Sequence, residues 1–263
     1  MWAASPSGGA APFCLASRYR LTGRLAIEDL WHGLAQAIQL LVVRDPALFE
    51  IVALSLRVSG LALLLSALAG VPLGALLGLS RFNGRRLLVV VIYTGMGLPP
   101  VVVGLFVYLL LSRSGPLGQL GWQAIPELFT PGAMVLAQWV ISLPLVAGFT
   151  MAAVMGVDPQ LRQQLQALGA TRWQTTLSVL LEARTGVIVS IIAGFGSIIS
   201  EVGAVMLVGG NIEGRTRVLT TAIVLETRKG NFDLALALGL VLLLLSFLAN
   251  AALLLLQGRA FDE

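Results

Sequence analysis

The sequence has few of the residues on which most catalytic and metal-binding chemistry depends. Its 263 residues include one cysteine, Cys14, and one histidine, His32. A single cysteine excludes an intrachain disulfide and four-cysteine metal sites, and a single histidine excludes most histidine-based metal and acid–base sites. The sequence also has no GxxxxGK[ST] phosphate-binding loop. We therefore predict a protein that is not an enzyme and holds no metal or cofactor of its own.

Charged residues are also scarce, at 11% of the chain, whereas a soluble domain usually carries about 25%. Hydrophobic residues make up 57% and the mean hydropathy is +0.90, so the composition predicts an integral membrane protein. The net charge is +4. The basic residues are scattered through loops and tails with no more than two in a row, which argues against a nucleic-acid partner.

Five apolar segments are long enough to cross a bilayer, since about 20 helical residues span about 30 Å of hydrocarbon. The predicted spans are residues 51–79, 87–111, 133–155, 185–208 and 234–256. The predicted fold class is therefore an all-α integral membrane protein. Charges inside these spans are few, chiefly Arg57 and Glu201.

The two ends of the chain are predicted to lie outside this core. Residues 1–24 are rich in Ala, Ser, Gly and Pro, which indicates a flexible tail, and residues 258–263 form a short second tail. Residues 26–43 place Glu28 and Asp29 on one helical face and apolar residues on the other, which favours an amphipathic helix on the membrane surface. The distribution of basic residues favours a sixth span there instead. We prefer five spans, because two neighbouring carboxylates are costly in lipid.

The longest polar, helix-favouring segment is residues 158–184, between the third and fourth spans. Asp158 followed by Pro159 is typical of a helix start, with an N-cap and a proline in the first turn. Gly169 is typical of the residue that ends a helix, and Ala170 leads towards a second helix. The first helix carries a short apolar edge formed by Leu161, Leu165 and Leu168. Composition alone leaves two alternatives open: an ordinary amphipathic connector, or a docking site for a soluble partner.

Two further features lie inside the spans. Pro99 and Pro100 remove backbone donors and predict a bend, which is either a packing kink or part of a transport path. The fourth span is rich in glycine, including Gly203, which indicates either tight packing or a path close to the backbone. Neutral hydrogen-bond donors in or beside this span are Ser197, Ser200 and Asn211.

A carboxylate such as Glu201 is unexpected inside a predicted span, so we expect it to be paired. Arg57 is predicted at a similar depth, in the half of the membrane farther from the loop at 158–184, and we predict an ion pair or shared network between the two. The alternatives are that Glu201 caps free backbone donors, or that it meets Arg215 or Arg217.

The loop at 158–184 resembles the cytoplasmic EAA loop of ABC importer permeases, whose pattern is E-A-A-x-x-x-G followed by I-x-L-P. Gly169 matches the glycine, Gln163 stands where glutamate is usual, and Glu182 stands where proline is usual. The resemblance implies a cytoplasmic loop that couples to an ATPase. The residues that it assigns to this coupling are Asp158, Gln163, Leu165, Leu168, Gly169 and Ala170.

Further stretches are similar to the tungstate-importer group of that family. They are LPPVVVGL (98–105), LSRSGPLG (111–118), ISEVGAVMLVGGNI (199–212) and TRVLTTAIVLET (216–227). The SEVGAV part is shared with molybdate and sulfate permeases, which leaves the oxyanion open. The resemblance implies a type I ABC importer transmembrane domain over 25–257, with five core spans plus the N-terminal amphipathic helix, in the cell membrane.

The resemblance also implies partners and a transport path. The expected partners are a second copy of this chain, a cytoplasmic ATPase dimer that binds ATP and Mg, and an extracytoplasmic oxyanion-binding protein. Candidate path or gate residues are Pro99, Pro100, Ser197, Ser200, Glu201, Gly203 and Asn211. A self-sufficient secondary carrier or a membrane scaffold remains an alternative. Against the carrier, the sequence shows no internal repeat.

Overall fold

The computed structural model describes residues 46–122 and 125–257, together with Ala35. The predicted tails at 1–24 and 258–263 and the predicted amphipathic helix at 26–43 therefore lie outside the described residues, Ala35 apart. Within the described ranges all regular structure is helical, in agreement with the predicted class. The α-helices are α1 Pro46–Leu79, α2 Arg85–Met96, α3 Pro100–Leu111, α4 Pro131–Met155, α5 Pro159–Ala167, α6 Arg172–Glu182, α7 Arg184–Ile199, α8 Gly203–Gly209, α9 Leu219–Lys229 and α10 Phe232–Gln257.

Helices α1 and α4 pack against each other along most of their length and form the centre of the bundle. Three glycines four residues apart on α1, namely Gly70, Gly74 and Gly78, face α4. A Cβ on Gly74 would overlap the carbonyl oxygen of Ala147, so only glycine permits this backbone separation. Small residues at such spacing are typical of helix contacts in membranes, where close van der Waals packing replaces the hydrophobic effect.

Buried hydroxyl groups form pairs across two helix contacts of α4, one with α1 and one with α7. The hydroxyls of Ser66 on α1 and Ser142 on α4 lie 2.6 Å apart. Farther along α4, the hydroxyl of Thr150 lies 3.0 Å from that of Ser190 on α7. All four side chains are buried, and each has a partner, as a polar group inside a bundle requires.

The predicted second span is divided into two short helices, α2 and α3, whose axes differ by 106°. Pro100 occupies the first turn of α3, where its missing N–H costs nothing, and Pro99 is the extended N-cap residue at φ −61° and ψ 125°. Helix α2 ends earlier, at Met96, with Gly97 as its C-cap. The proline pair was predicted to bend one continuous helix, and the structure shows a complete break instead.

The predicted fourth span is also interrupted. Helix α7 has 16 residues, about 24 Å of helix, and ends at Ile199. After the intervening residues Ser200, Glu201 and Val202, the seven-residue helix α8 continues to Gly209. The sequence prediction of one helix over 185–208 missed this break, because Ser-Glu-Val contains neither glycine nor proline.

Three helices in the described ranges are long and apolar enough to cross a membrane: the segments Leu48–Leu79, Pro131–Met155 and Leu234–Ala251. Two bent helix pairs, α2 with α3 and α6 with α7, raise that number to as many as five. The predicted first, third and fifth spans therefore correspond to single helices, and the broken ones are the second and fourth.

The short apolar stretch at 218–225, predicted to be too short to span, belongs to helix α9, which packs on α10. The α9–α10 corner contains a buried carboxylate, since Glu226 is 8% exposed. Its Oε1 accepts a hydrogen bond of 2.8 Å from Lys229 Nζ, and its Oε2 accepts one of 2.8 Å from Asn231 Nδ2. These hydrogen bonds, partly opposed by burial, hold the pKa of Glu226 below its ordinary value.

Candidate functional site

The polar loop forms a compact unit of two helices, as the sequence predicts. Asp158 Oδ1 accepts a hydrogen bond of 2.8 Å from the backbone N–H of Gln160, so Asp158 caps α5. Pro159 takes the first helical position. The helix ends at Ala167, one residue earlier than the apolar pattern through Leu168 indicates.

The turn between α5 and α6 depends on Gly169, which has φ +84°. The backbone N–H of Ala170 donates to the carbonyl of Leu165 at 2.9 Å, which satisfies one of the last carbonyls of α5. Thr171 and Gln174 then form a capping box at the start of α6. Two helices with defined caps on both sides of one left-handed glycine give the loop a fixed shape.

The tip of this loop exposes large apolar side chains. Leu168 is 85% exposed and Trp173 is 74% exposed. Both lie outside the apolar spans, so lipid in the membrane core does not cover them. Leu161 and Leu165 are half-buried instead, so the predicted apolar edge divides between packing and exposure. Gln163 is exposed on α5. A cavity of about 530 Å³ separates the loop from the ends of α4 and α7, with Asp158 and Glu182 on its lining.

Two arginines connect this loop and α2 to the end of α1, and sequence reasoning missed both. Arg162 Nη2 on α5 donates to the carbonyl of Leu79 at 2.7 Å. Arg85 Nε on α2 donates to the carbonyl of Leu77 at 2.6 Å. Both carbonyls belong to the last turn of α1, which lacks intrahelical donors. The only signal in the sequence was the presence of basic residues in loops near a helix end.

The two helix breaks inside the bundle are brought together by contact between α3 and α8. A Cβ on Gly203 would overlap the side chain of Val101, and one on Gly104 would lie 2.5 Å from the Cα of Ala204. Pro99 and Pro100 therefore lie at the start of α3, the helix that packs on α8. Helix α8 in turn begins directly after the segment that contains Glu201. Irregular backbone at membrane depth is tolerated where protein buries it or where it lines a cavity.

The break between α7 and α8 is held by side chains from two other elements. Gln138 Nε2 on α4 donates to the carbonyl of Ile198 at 3.1 Å. Thr220 Oγ1 on α9 donates to the carbonyl of Glu201 at 3.0 Å. Glu201 Oε1 accepts from the backbone N–H of Ala204 at 2.9 Å, so the carboxylate caps the start of α8.

The predicted ion pair between Arg57 and Glu201 is wrong. Among the described residues the ion pairs are Arg217 with Glu213 and Lys229 with Glu226. The Arg57 side chain is exposed on the surface of α1, whereas Glu201 bonds to backbone. The rival prediction, that Glu201 caps backbone donors, is confirmed. A carboxylate beside a helix start needs no cation, because free N–H groups and the helix dipole stabilise its charge.

The remaining candidate residues lie in two places. Ser200 is exposed at the break, and Ser197 is half-buried one turn before it. A Cβ on Gly196 would meet nothing within 4 Å, so this side of α7 faces open space in a single chain. Asn211 lies beyond the other end of α8, roughly 12 Å of helix away from Gly203, with φ +52° and a buried Oδ1 that lacks a partner.

Comparison with known proteins identifies the family. Residues 70–261 match the model of a binding-protein-dependent transport system inner membrane component. The chain belongs to this family. It is therefore a multi-pass membrane permease component, and ATP hydrolysis in such systems takes place on a separate subunit. The family also implies an ATPase and a substrate-binding protein as partners.

Relatives in the same family point to oxyanions. The chain is 39% identical to the tungstate uptake system permease protein TupB of Peptoclostridium acidaminophilum over 231 residues, 88% of this chain and 99% of that protein. It is 46% identical to a probable anion ABC transporter permease protein of Haloferax volcanii, over 78% of this chain and 88% of that protein. It is 35% identical to the molybdenum transport system permease protein ModB of Escherichia coli K12, covering 70% and 81%.

Solved structures agree on the fold. A bacterial alginate ABC transporter, solved with a periplasmic protein bound to alginate pentasaccharide, aligns with a TM-score of 0.63 at 22% identity, covering 90% of this chain and 92% of that chain. An amino acid ABC transporter solved with histidines aligns with a TM-score of 0.61 at 19% identity, covering 83% and 96%. At these identities the likeness concerns the fold, and it confirms the predicted importer-type transmembrane domain.

Proposed function

We propose that this protein is the transmembrane subunit of an ATP-driven importer of tungstate, which it passes from an external binding protein to the cytoplasm. The single observation that carries the substrate is its similarity to tungstate uptake permeases, at 39% identity over nearly the whole length of one of them. The subunit itself makes and breaks no covalent bond. ATP and Mg are bound by the partner ATPase.

The loop at 158–184 is the docking site for that ATPase, on the cytoplasmic side. Leu168 and Trp173 expose most of their apolar surface in a loop whose backbone is fixed by caps and by Gly169. Exposed apolar groups on a rigid polar loop are typical of an interaction site, since water contact with them is unfavourable. Asp158, Gln163, Leu165 and Ala170 set the shape and rim of the same surface.

The transport path follows the paired breaks and is completed by a second copy of the chain. Ser200 is exposed and a Cβ on Gly196 would meet nothing within 4 Å, with Ser197 half-buried beside them, on the side that a twofold-related subunit would close. Neutral hydroxyls and backbone dipoles bind a divalent oxyanion weakly enough to release it. Pro99, Pro100, Glu201 and Gly203 shape the break, and Asn211 lies beyond the far end of α8.

The transport cycle follows from these two sites. ATP binding closes the ATPase dimer and draws the two docked loops together. The two subunits then rearrange around the breaks and open towards the binding protein, which delivers the oxyanion. Hydrolysis restores the inward-facing state. A permanent bend at each break makes such a rearrangement possible, because the segments on either side of a break move without bending a helix.

Two alternative functions differ in substrate or in energy source. Molybdate or sulfate is the alternative substrate, and similarity to a molybdenum permease favours molybdate as the second candidate. A secondary carrier would couple transport to an ion gradient and would bind no ATPase.

The test of the docking site is retention of the partner ATPase on the purified permease. We expect the wild-type chain to retain it and Leu168→Gln with Trp173→Gln to lose it, since these changes remove the exposed apolar contacts. The matched control is Trp122→Gln, which changes an apolar side chain that is 69% exposed in the connection between α3 and α4, outside the spans and outside the loop. A wild-type chain that transports oxyanion without retaining any ATPase would establish the carrier instead.

A further inference from the structure

We propose that Arg162 is a positioning residue that ties the docking loop to α1, so that movement of the loop moves α1 and, through it, the break at 200–202. This inference rests on the proposed function, because it concerns how ATPase movement reaches the transport path. Arg162 is absent from the set of coupling residues that the sequence indicated.

The first contact is between α5 and α1. Arg162 Nη2 lies 2.7 Å from the carbonyl oxygen of Leu79, which is the last residue of α1 and lies 83 positions earlier in the chain. A guanidinium at a helix C-terminus satisfies a free carbonyl and also complements the negative end of the helix dipole. Hydrogen bonds with one charged partner are about twice as strong as neutral ones, so this contact resists separation.

The second element is α1 itself. It is one continuous helix of 34 residues that contains Pro72, and its glycine-lined face packs closely on α4. Arg85 supports the same end of α1 from α2 by donating to Leu77. From Leu79 back to Ser55 the helix covers roughly 36 Å, which is enough to carry a displacement across the membrane.

The third contact leads from α1 to the break. Ser55 is buried, and its hydroxyl accepts a hydrogen bond of 2.9 Å from the backbone N–H of Leu219, the first residue of α9. The next residue, Thr220, donates to the carbonyl of Glu201 in the break at 3.0 Å. Hydrogen bonds and one continuous helix therefore connect Arg162 to Glu201.

A purely structural role for Arg162 predicts a different outcome from a tether. Leu79 is only partly buried, so water can replace the guanidinium at its carbonyl, and the cost to folding is small. The loss of coupling between ATP hydrolysis and transport is large, because a water molecule at this carbonyl does not link α5 to α1. Coupling should therefore fail while folding and ATPase binding persist.

The experiment uses permease, partner ATPase and binding protein together in proteoliposomes and measures ATP hydrolysed per tungstate ion transported. We expect Arg162→Ala to raise this ratio roughly tenfold, the scale of one charge-assisted hydrogen bond. Arg162→Lys retains a cationic donor and should recover at least part of the coupling. The control Arg86→Ala removes an exposed arginine from α2 and should leave the ratio unchanged.

The far end of the connection has its own pair of variants. Ser55→Ala removes the acceptor for Leu219 and should raise the ratio, whereas Ser59→Ala changes an equally buried serine one turn away that makes no such contact. Because Arg162 and Ser55 act in series, the double variant should be no worse than Arg162→Ala alone.

A second measurement needs only the permease. Spin labels at Gln166→Cys on α5 and Arg81→Cys after α1, with Cys14→Ser and the labelled chain diluted in excess unlabelled chain, should give one narrow distance distribution within a subunit that broadens in Arg162→Ala. An unchanged distribution, normal coupling in Arg162→Ala, or loss of ATPase binding in that variant would each overturn the tether. Wild-type proteoliposomes that show no coupling to any oxyanion would overturn the proposed function, and the tether with it.

Discussion

Glu201 Oε1 accepts the backbone N–H of Ala204 at 2.9 Å, and this bond fixes the start of α8 directly after the break in the fourth span. The carboxylate therefore acts through the backbone of its own segment. Its nearest structural equivalents are the side-chain caps that begin other helices, such as Asp158 at α5.

Glu201→Gln should retain transport close to wild type, because the amide oxygen still accepts from Ala204. Glu201→Ala should lose the cap, at a cost of about 0.5–2 kcal/mol in stability of that segment, and transport should fall. Uptake of tungstate into vesicles and the thermal unfolding midpoint in detergent measure the two effects. Equal loss in both variants would show that the negative charge itself is required and would contradict the capping role.

Gly169 provides the left-handed turn of the docking loop, and substitution there tests conformation without a steric clash. A Cβ at this position would meet nothing within 4 Å, so the only cost is φ +84° for an L-residue, roughly 1–2 kcal/mol. We expect coupling of ATP hydrolysis to transport to fall in the order Gly169, Gly169→Asn, Gly169→Leu, since Asn adopts positive φ more readily than Leu does.

The control for Gly169 is Gly156→Ala, in the same loop region but at φ −76°, which any residue adopts. It should couple normally. Full coupling in Gly169→Leu would mean that the shape of the turn is not needed for transmission.

Gly74 sets the separation of α1 and α4. Gly74→Ala would force a methyl group against the carbonyl of Ala147 and to 2.8 Å from Thr150 Cβ, so we expect a cost of about 1–3 kcal/mol. Gly60→Ala on the same helix places its Cβ in open space and should be neutral or stabilising. Thermal unfolding in detergent checks both, and equal stability of the two variants would contradict close packing at Gly74.

The Glu226 network predicts a pH dependence. Hydrogen bonds from Lys229 and Asn231 lower the pKa of Glu226 in the folded state. A lowered carboxyl pKa contributes stability that is fully present above the ordinary pKa, declines as pH falls below it, and is lost below the lowered value. Glu226→Gln should therefore flatten the fall of the unfolding midpoint between neutral and strongly acidic pH. Glu213→Gln, which changes an exposed ion-pair partner, should leave the slope unchanged.

Much of the fold could be predicted from the sequence because length and hydropathy determine where helices cross a bilayer. The polar loop was also predictable, since Asp158-Pro159 and Gly169 are local signals whose geometry needs no distant partner. The division of the second span into two helices was predicted only as a bend, because two adjacent prolines do not determine by what angle the chain turns.

The break at 200–202 could not be predicted, because the residues that hold it come from elsewhere in the chain. Gln138 lies 60 positions from Ile198, and Thr220 belongs to a helix that the pattern only partly indicated. The Arg57–Glu201 pair failed for the same reason: similar depth does not place two side chains on facing surfaces. Arg162 was missed because its acceptor is a backbone carbonyl, which leaves no signal in the sequence.

The most direct test of the account is ATP hydrolysis by the permease reconstituted with its partner ATPase and binding protein, with and without tungstate. We predict that tungstate stimulates hydrolysis and that tungstate enters the vesicles in proportion to the ATP consumed. Stronger stimulation by molybdate than by tungstate would favour molybdate as the substrate instead. Hydrolysis indifferent to both oxyanions, with no uptake of either, would contradict the assignment of this chain as an oxyanion import permease.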